Sequence, residues 1–184
     1  MVTKTRVTVQ DLWRLGEGDS RRELVNGEVV EMAPVAGIHG QVTGRMYRCL
    51  EEYVRRHGSG EVLVGDVGFI LNLPADPERV RAPDVAFVSS QRLPAGRLPE
   101  GFLPGAPDLA VEVLSPTDNP LQIQQRVRDF LEAGARLVWI IAPQAKTVTV
   151  YRVDGSARLL RDQDHLEGED VLLGLRIPLE EIFQ

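Results

Sequence analysis

Cysteine occurs once in the 184 residues, at Cys49, and lysine only twice, at Lys4 and Lys146. A lone thiol forms no internal disulfide, which excludes a disulfide-stapled secreted scaffold and makes a reducing cytoplasm the expected compartment. No apolar run approaches the roughly 20 residues that cross a bilayer, so no membrane span is expected. The opening MVTKTRVTVQDLW lacks the apolar stretch of a signal peptide. No Cys/His spacing suits zinc, no Gly-rich loop leads from a strand into a helix as nucleotide binding requires, and there is no nucleophile elbow. Net basicity is absent too: 27 acidic against 21 basic residues give −6, which argues against a general nucleic-acid coat and leaves only a local basic groove.

What is present suits one globular core. The chain is 43% hydrophobic and 26% charged, with no evident linker, so a single domain over residues 1–184 is expected. Thr8 with Asp11 resembles a helix-capping pair ahead of Val9, Leu12 and Trp13, and this short helix should end near Gly16. RRELVNGEVVEM then reads as a hairpin about Asn26-Gly27, the favoured type I′ pair, with Glu23 on the face of Val25 and Val30. Ile38, Val42, Met46, Cys49, Leu50, Tyr53 and Val54 describe one stripe of a helix over 38–56, closed by Gly58.

Strands are expected at 61–64, 67–73, 84–88 and 108–114, with an exposed loop from Gln91 to Pro107. Asn119-Pro120 begins a second helix, capped by Asn with Pro in the first turn, burying Ile123, Val127, Phe130 and Leu131 and ending at Gly134. LVWIIAP, TVTVYRV, ARLLR and DVLLGL read as further strands, and Pro178 to Phe183 as a terminal helix. Cys49 falls on a buried stripe and reads as packing; His57, His165 and Lys146 fall in loops or turns.

One stretch is anomalous. APDLAVEVLSP, residues 106–116, looks like a buried strand but carries Glu112, and a carboxylate inside an apolar strand needs a partner. Alternation puts Asp108, Ala110 and Glu112 on one face. The upstream echo APDVAFV begins a strand with Asp84, and two strands side by side could aim Asp84 and Glu112 at one hard cation such as Mg²⁺ or Mn²⁺. The alternative is a structural ion pair with an arginine such as Arg79 or Arg81.

The order of amphipathic helix, Pro83-Asp84 strand, Glu112 strand and following helix resembles the PD-(D/E)xK restriction-endonuclease-like superfamily. ELVNGEVVEM, the His39-bearing helix, RAPDVAFV, PDLAVEVLSP, FLEAGARLVWIIAP, TVTVYR and GEDVLLGLRIPLEEIF resemble, more narrowly, its Uma-type group over nearly the whole chain. The resemblance implies an α/β fold, a mixed central sheet flanked by helices and preceded by a helix and β-hairpin. It implies a metal-dependent DNA endonuclease in which Asp84, Glu112 and the backbone carbonyl of Val113 hold Mg²⁺ or Mn²⁺.

The superfamily lysine two residues after the glutamate is replaced by Leu114. The displaced position on the following helix corresponds to Arg126, which can clamp phosphate but, with its high pKa, cannot act as a base at neutral pH. Glu23 matches a supporting acid, and His39 a phosphate-binding candidate beside helix donors. Glu23 and Arg126 could equally form an ordinary salt bridge, and Asp108 more simply starts a strand. The competing expectation is a catalytically weak or inactive nuclease-fold module that binds nucleic acid or serves as a regulatory or structural homo-oligomer. A homodimer is the simplest assembly to expect.

Overall fold

The structure, a computed structural model, describes residues 6–16, 21–93 and 96–184. Its largest sheet has six strands: β3 (Gly60–Val64), β6 (Val85–Ser89), β8 (Leu109–Val113), β9 (Leu137–Ala142), β10 (Thr147–Arg152) and β11 (Ala157–Arg161). All neighbours are antiparallel except β8 and β9, which run parallel across the connection that holds α3 (Pro120–Glu132). Strand β8 is buried along its whole length because a helix layer covers each face. Val85, Phe87, Leu109, Val111, Val113 and Trp139 pack toward α2 (Gly37–His57). Ala86, Ala110, Val138 and Ile140 pack toward Val127 and Phe130 of α3.

The N-terminal helix and hairpin form where local chemistry dictates. Thr8 and Asp11 make a reciprocal capping box on α1 (Val9–Arg14). Asn26 and Gly27, at φ 54° and 75°, turn β1 (Arg21–Val25) into β2 (Glu28–Met32), with Glu23 opposite Val30. This hairpin does not simply precede the central sheet. It joins a second, five-stranded sheet, β2-β1-β5-β4-β7, through the two-residue strands β4 (Phe69–Ile70), β5 (Val80–Arg81) and β7 (Leu103–Pro104).

Several expectations are corrected. The 67–73 strand shrinks to Phe69–Ile70, and Asn72 at φ 52° bends the chain soon after. The Gln91–Pro107 segment is not an exposed loop throughout: Leu103 and Ala106 are buried, and Leu103 and Gly105 donate backbone hydrogen bonds to Gly68 and Ile70. DVLLGL is a run of turns rather than a strand, closed by Val171 and Leu172 N–H on the Gly168 carbonyl, and only Leu172 and Leu175 of its leucines are buried. The strands there are β12 (His165–Glu167) and β13 (Arg176–Pro178), which puts His165 in a strand; His57 ends α2. Ile38 is 47% exposed, and His39 takes the buried position in the first turn. The terminal helix α4 (Leu179–Phe183) forms as expected, and no helix among the described residues is long and apolar enough to cross a membrane.

Candidate metal and phosphate site

The β6–β8 register pairs Val85 with Val111, so Asp84, the residue before β6, lies beside the end of β8 that carries Glu112. Alternation from Ala110 puts Glu112 on the α3 side of the sheet, while Asp84, just ahead of β6, reaches the end of β8, Arg21 of β1 and His39 of α2. The Val113 N–H fastens the strand to this spot by donating to Asp84 Oδ2 at 2.7 Å. Asp84 Oδ1 accepts from Arg21 Nη1 at 2.8 Å, and His39 Nε2 lies 3.3 Å from Oδ2. Arg21 also donates to the Ala82 carbonyl. Burial alone would raise Asp84, but His39, Arg21 and the Val113 amide together bring it below the ordinary carboxylate range. In return, the bond to Asp84 lifts His39 above the usual imidazole value.

Arg126 links the other two acids. Its Nε and Nη2 both donate to Glu112 Oε1, at 3.0 and 2.6 Å, while Nη1 reaches the two oxygens of Glu23 at 2.7 and 2.6 Å. Glu23 is further held by Arg81 Nη1 at 2.8 Å and by the Ala82 N–H at 2.9 Å. Burial raises Glu23, yet Arg126 and Arg81 outweigh it and leave the group at about 2. Glu112 goes the other way: burial is the largest effect, Arg126 opposes it, and the nearby Asp84 charge adds to it, so the group stands at about 7.

The ion pairing continues inward. Arg81 donates to Asp129 through Nε and Nη2, at 2.9 and 2.6 Å, and Arg79 Nη1 reaches both Asp129 oxygens. Arg79 Nε then holds Asp76, which accepts from the Asn26 N–H in the hairpin turn, and Arg79 Nη2 donates to the Asn26 side chain. Glu112, Arg126, Glu23, Arg81, Asp129, Arg79 and Asp76 thus form an alternating chain of buried charges from the sheet to the hairpin tip.

Asp84, Glu112, Arg126, Glu23 and His39 are therefore gathered at one place. Asp108 is not among them: its carboxylate accepts from the Ser89 N–H at 2.8 Å and lies 3.3 Å from Arg92, an anchor between strands. Leu114 packs against the α3-side core. The alternative ion pairing takes a different form from the one expected, since Asp84 pairs with Arg21 and Glu112 with Arg126, while Arg79 and Arg81 serve Asp76, Asp129 and Glu23. Sequence reasoning missed Arg21 and Asp129. A signal for Asp129 existed: it lies three residues after Arg126, within reach on one helix face.

The donor set has a definite preference. Among the described residues no three His, Cys, Asp or Glu side chains cluster as a complete cation cage. Glu112 nevertheless keeps Oε2 off the arginines, and Asp84 keeps Oδ2 off them, the latter held instead by the Val113 N–H with His39 Nε2 beside it. An all-oxygen pair of carboxylates fits a hard divalent ion that retains several of its waters, and does not fit zinc.

A mixed sheet with a helix layer on each face and two cross-strand carboxylates at the end of its central strands is the architecture of the restriction-endonuclease-like class. The chain belongs to the Uma2 family, described as "Putative restriction endonuclease", whose model matches residues 9–180. A solved structure with the same fold is a protein of Anabaena variabilis ATCC 29413, described as a "putative nuclease belonging to DUF820". It superposes with a TM-score of 0.83 at 19% identity, over 96% of this chain and 97% of that one. No match was found among curated proteins.

Proposed function

We propose that this protein is a divalent-metal-dependent DNA endonuclease. The observation that carries the reading is the cross-strand placement of Asp84 and Glu112 with the Arg126 guanidinium between Glu112 and Glu23. Asp84 and Glu112, with the Val113 carbonyl, would hold Mg²⁺ or Mn²⁺, which when bound supplies an activated water and charge stabilisation at the phosphate. Arg126, a permanent cation, meets the phosphate and takes no proton. Glu23 orients Arg126, and His39, at the N-terminal turn of α2, adds a second cationic contact.

The test is cleavage of single-stranded, double-stranded and branched DNA, with RNA alongside, in Mg²⁺ and in Mn²⁺, for wild type, Asp84→Asn and Glu112→Gln. Removing a ligand carboxylate should abolish cleavage; activity persisting in both variants would sink the assigned site. A second reading, a nuclease-fold module that binds without efficient turnover, is favoured by one observation: Arg126 spends Nε, Nη1 and Nη2 on protein acceptors while Leu114 fills the simple lysine position. Tight DNA binding without cleavage would select it.

A further inference from the structure

We infer that Arg126 and a divalent cation compete for Glu112: the guanidinium is the resident counter-ion of this carboxylate, and metal entry displaces it toward the substrate phosphate. The inference rests on the metal reading of Asp84 and Glu112 given above and concerns what this chain's arginine does to it.

Arg126 grips its two carboxylates unequally. On the Glu23 side, Nη1 meets a carboxylate that Arg81 and the Ala82 N–H also hold, so that end is fixed. On the Glu112 side, Nε and Nη2 converge on the single oxygen Oε1, and among the described residues Glu112 has no other hydrogen bond. Glu112 is the end that can let go. Rotation about the Glu23 contact would carry the Nε/Nη2 edge away, breaking also the 3.2 Å bond from Nη2 to the Ala82 carbonyl, while Nη1 stays paired.

Charge balance favours exchange over co-occupancy. The connected set, buried or nearly so, comprises the carboxylates of Asp84, Glu112, Glu23, Asp129 and Asp76 against the guanidiniums of Arg21, Arg126, Arg81 and Arg79, a surplus of one negative charge that a protonated His39 beside Asp84 would cancel. A divalent ion added with every arginine in place would leave net positive charge inside a poorly solvated site, which is unfavourable. Moving the Arg126 fork outward relieves the excess. The freed edge is also the planar two-donor fork that matches a phosphate, so metal binding would create the phosphate contact that the closed site lacks.

The experiment measures Mn²⁺ binding without DNA, by loss of the free-ion electron paramagnetic resonance signal, for wild type, Arg126→Gln, Arg126→Lys, Glu112→Gln and Arg126→Gln/Glu112→Gln. Circular dichroism monitors folding. Removing a unit charge about 4 Å from a cation site at mid-protein dielectric is worth well over tenfold in affinity. Arg126→Gln should therefore bind Mn²⁺ at least about tenfold more tightly than wild type, and both proteins carrying Glu112→Gln should lose this binding. Arg126→Lys keeps the charge but cannot bridge both carboxylates, so it should bind with intermediate affinity; it carries the test should Arg126→Gln fail to fold. Unchanged or weaker binding in the folded Arg126 variants, with normal binding by wild type, would overturn the competition and leave the metal reading standing. Absence of Mn²⁺ binding from every folded protein would overturn the metal reading itself, and the competition with it.

Discussion

Glu23 and Glu112 hold the same guanidinium, but Glu23 is pinned in its ionised form and Glu112 is poised near neutrality. Divergent titration of neighbouring acids lets one stay charged at a pH where the other can gain or lose a proton. With its folded value at about 2, below the ordinary 4.5, Glu23 contributes stability that is present above pH 4.5 and lost as pH falls through 2. Its contribution at pH 7 is about 3 kcal/mol by the same linkage. Glu23→Gln should be less stable than wild type at pH 7, and urea unfolding curves should show the gap closing between pH 4.5 and 2. Glu112 has the opposite sign. Raised from 4.5 to about 7, it holds its proton longer in the folded than in the unfolded state, so stability falls as pH rises across that window and levels off above it. Unfolding at pH 5 and pH 8 should show wild type losing stability with pH while Glu112→Gln changes less. Asp129 is almost fully buried and accepts from Arg79, Arg81 and Gln125, so Asp129→Asn leaves two buried guanidiniums short of charge. A loss of about 3–5 kcal/mol is expected in chemical denaturation.

Helix α3 delivers Arg126 and Asp129 together, and its start is set by the Asn119 side chain accepting from the Leu121 N–H, with Pro120 in the first turn. Asn119→Ala should cost about 1 kcal/mol, read as a lowered thermal midpoint. Elements with such local signatures were legible in the sequence: the Thr8–Asp11 box, the Asn26-Gly27 turn, the Gly58 cap and the Asn119-Pro120 start all occur where their chemistry pointed. Strands β5 and β7 were not, and β4 was read too long, because two-residue strands are defined by distant partners such as Phe69 with Leu103, and periodicity needs more residues than that to register. DVLLGL misled because turns can bury leucines three residues apart, as at Leu172 and Leu175, as well as a strand buries alternate ones. At the candidate site the oddity of Glu112 was plain, since a carboxylate amid Ala110, Val111 and Val113 has few explanations. A Glu23–Arg126 salt bridge was among the expectations, but the arginines that take Glu112 and Asp84 were hidden: Arg21 to Asp84 spans 63 positions, and arginine is too abundant here for any one to stand out.

The whole chain carries −6, and its most tightly held arginines, Arg79, Arg81 and Arg126, are turned inward on carboxylates rather than out toward solvent. A polyanion approaching a chain of this charge meets net repulsion, and at the candidate site itself the guanidiniums of Arg21, Arg81 and Arg126 are already taken up by carboxylates. The proposed activity then requires the divalent ion for substrate binding as well as for chemistry, because the metal, together with the Arg126 fork it displaces, supplies the positive charge that is otherwise neutralised at the site. Fluorescence anisotropy with labelled duplex DNA and the cleavage-deficient Asp84→Asn protein is unsuitable for this purpose, since that variant removes a proposed metal ligand; Ca²⁺ with wild type, at a concentration that does not support cleavage, is the better probe. Binding in EDTA should be negligible near physiological salt and appear when Ca²⁺ is added. The slope of log affinity against log salt should be shallow, on the order of −1 to −3, as for one to three neutralised phosphates. Tight binding in EDTA with a steep slope would instead require a basic face, independent of Asp84 and Glu112, and would assign nucleic-acid recognition to another part of the surface.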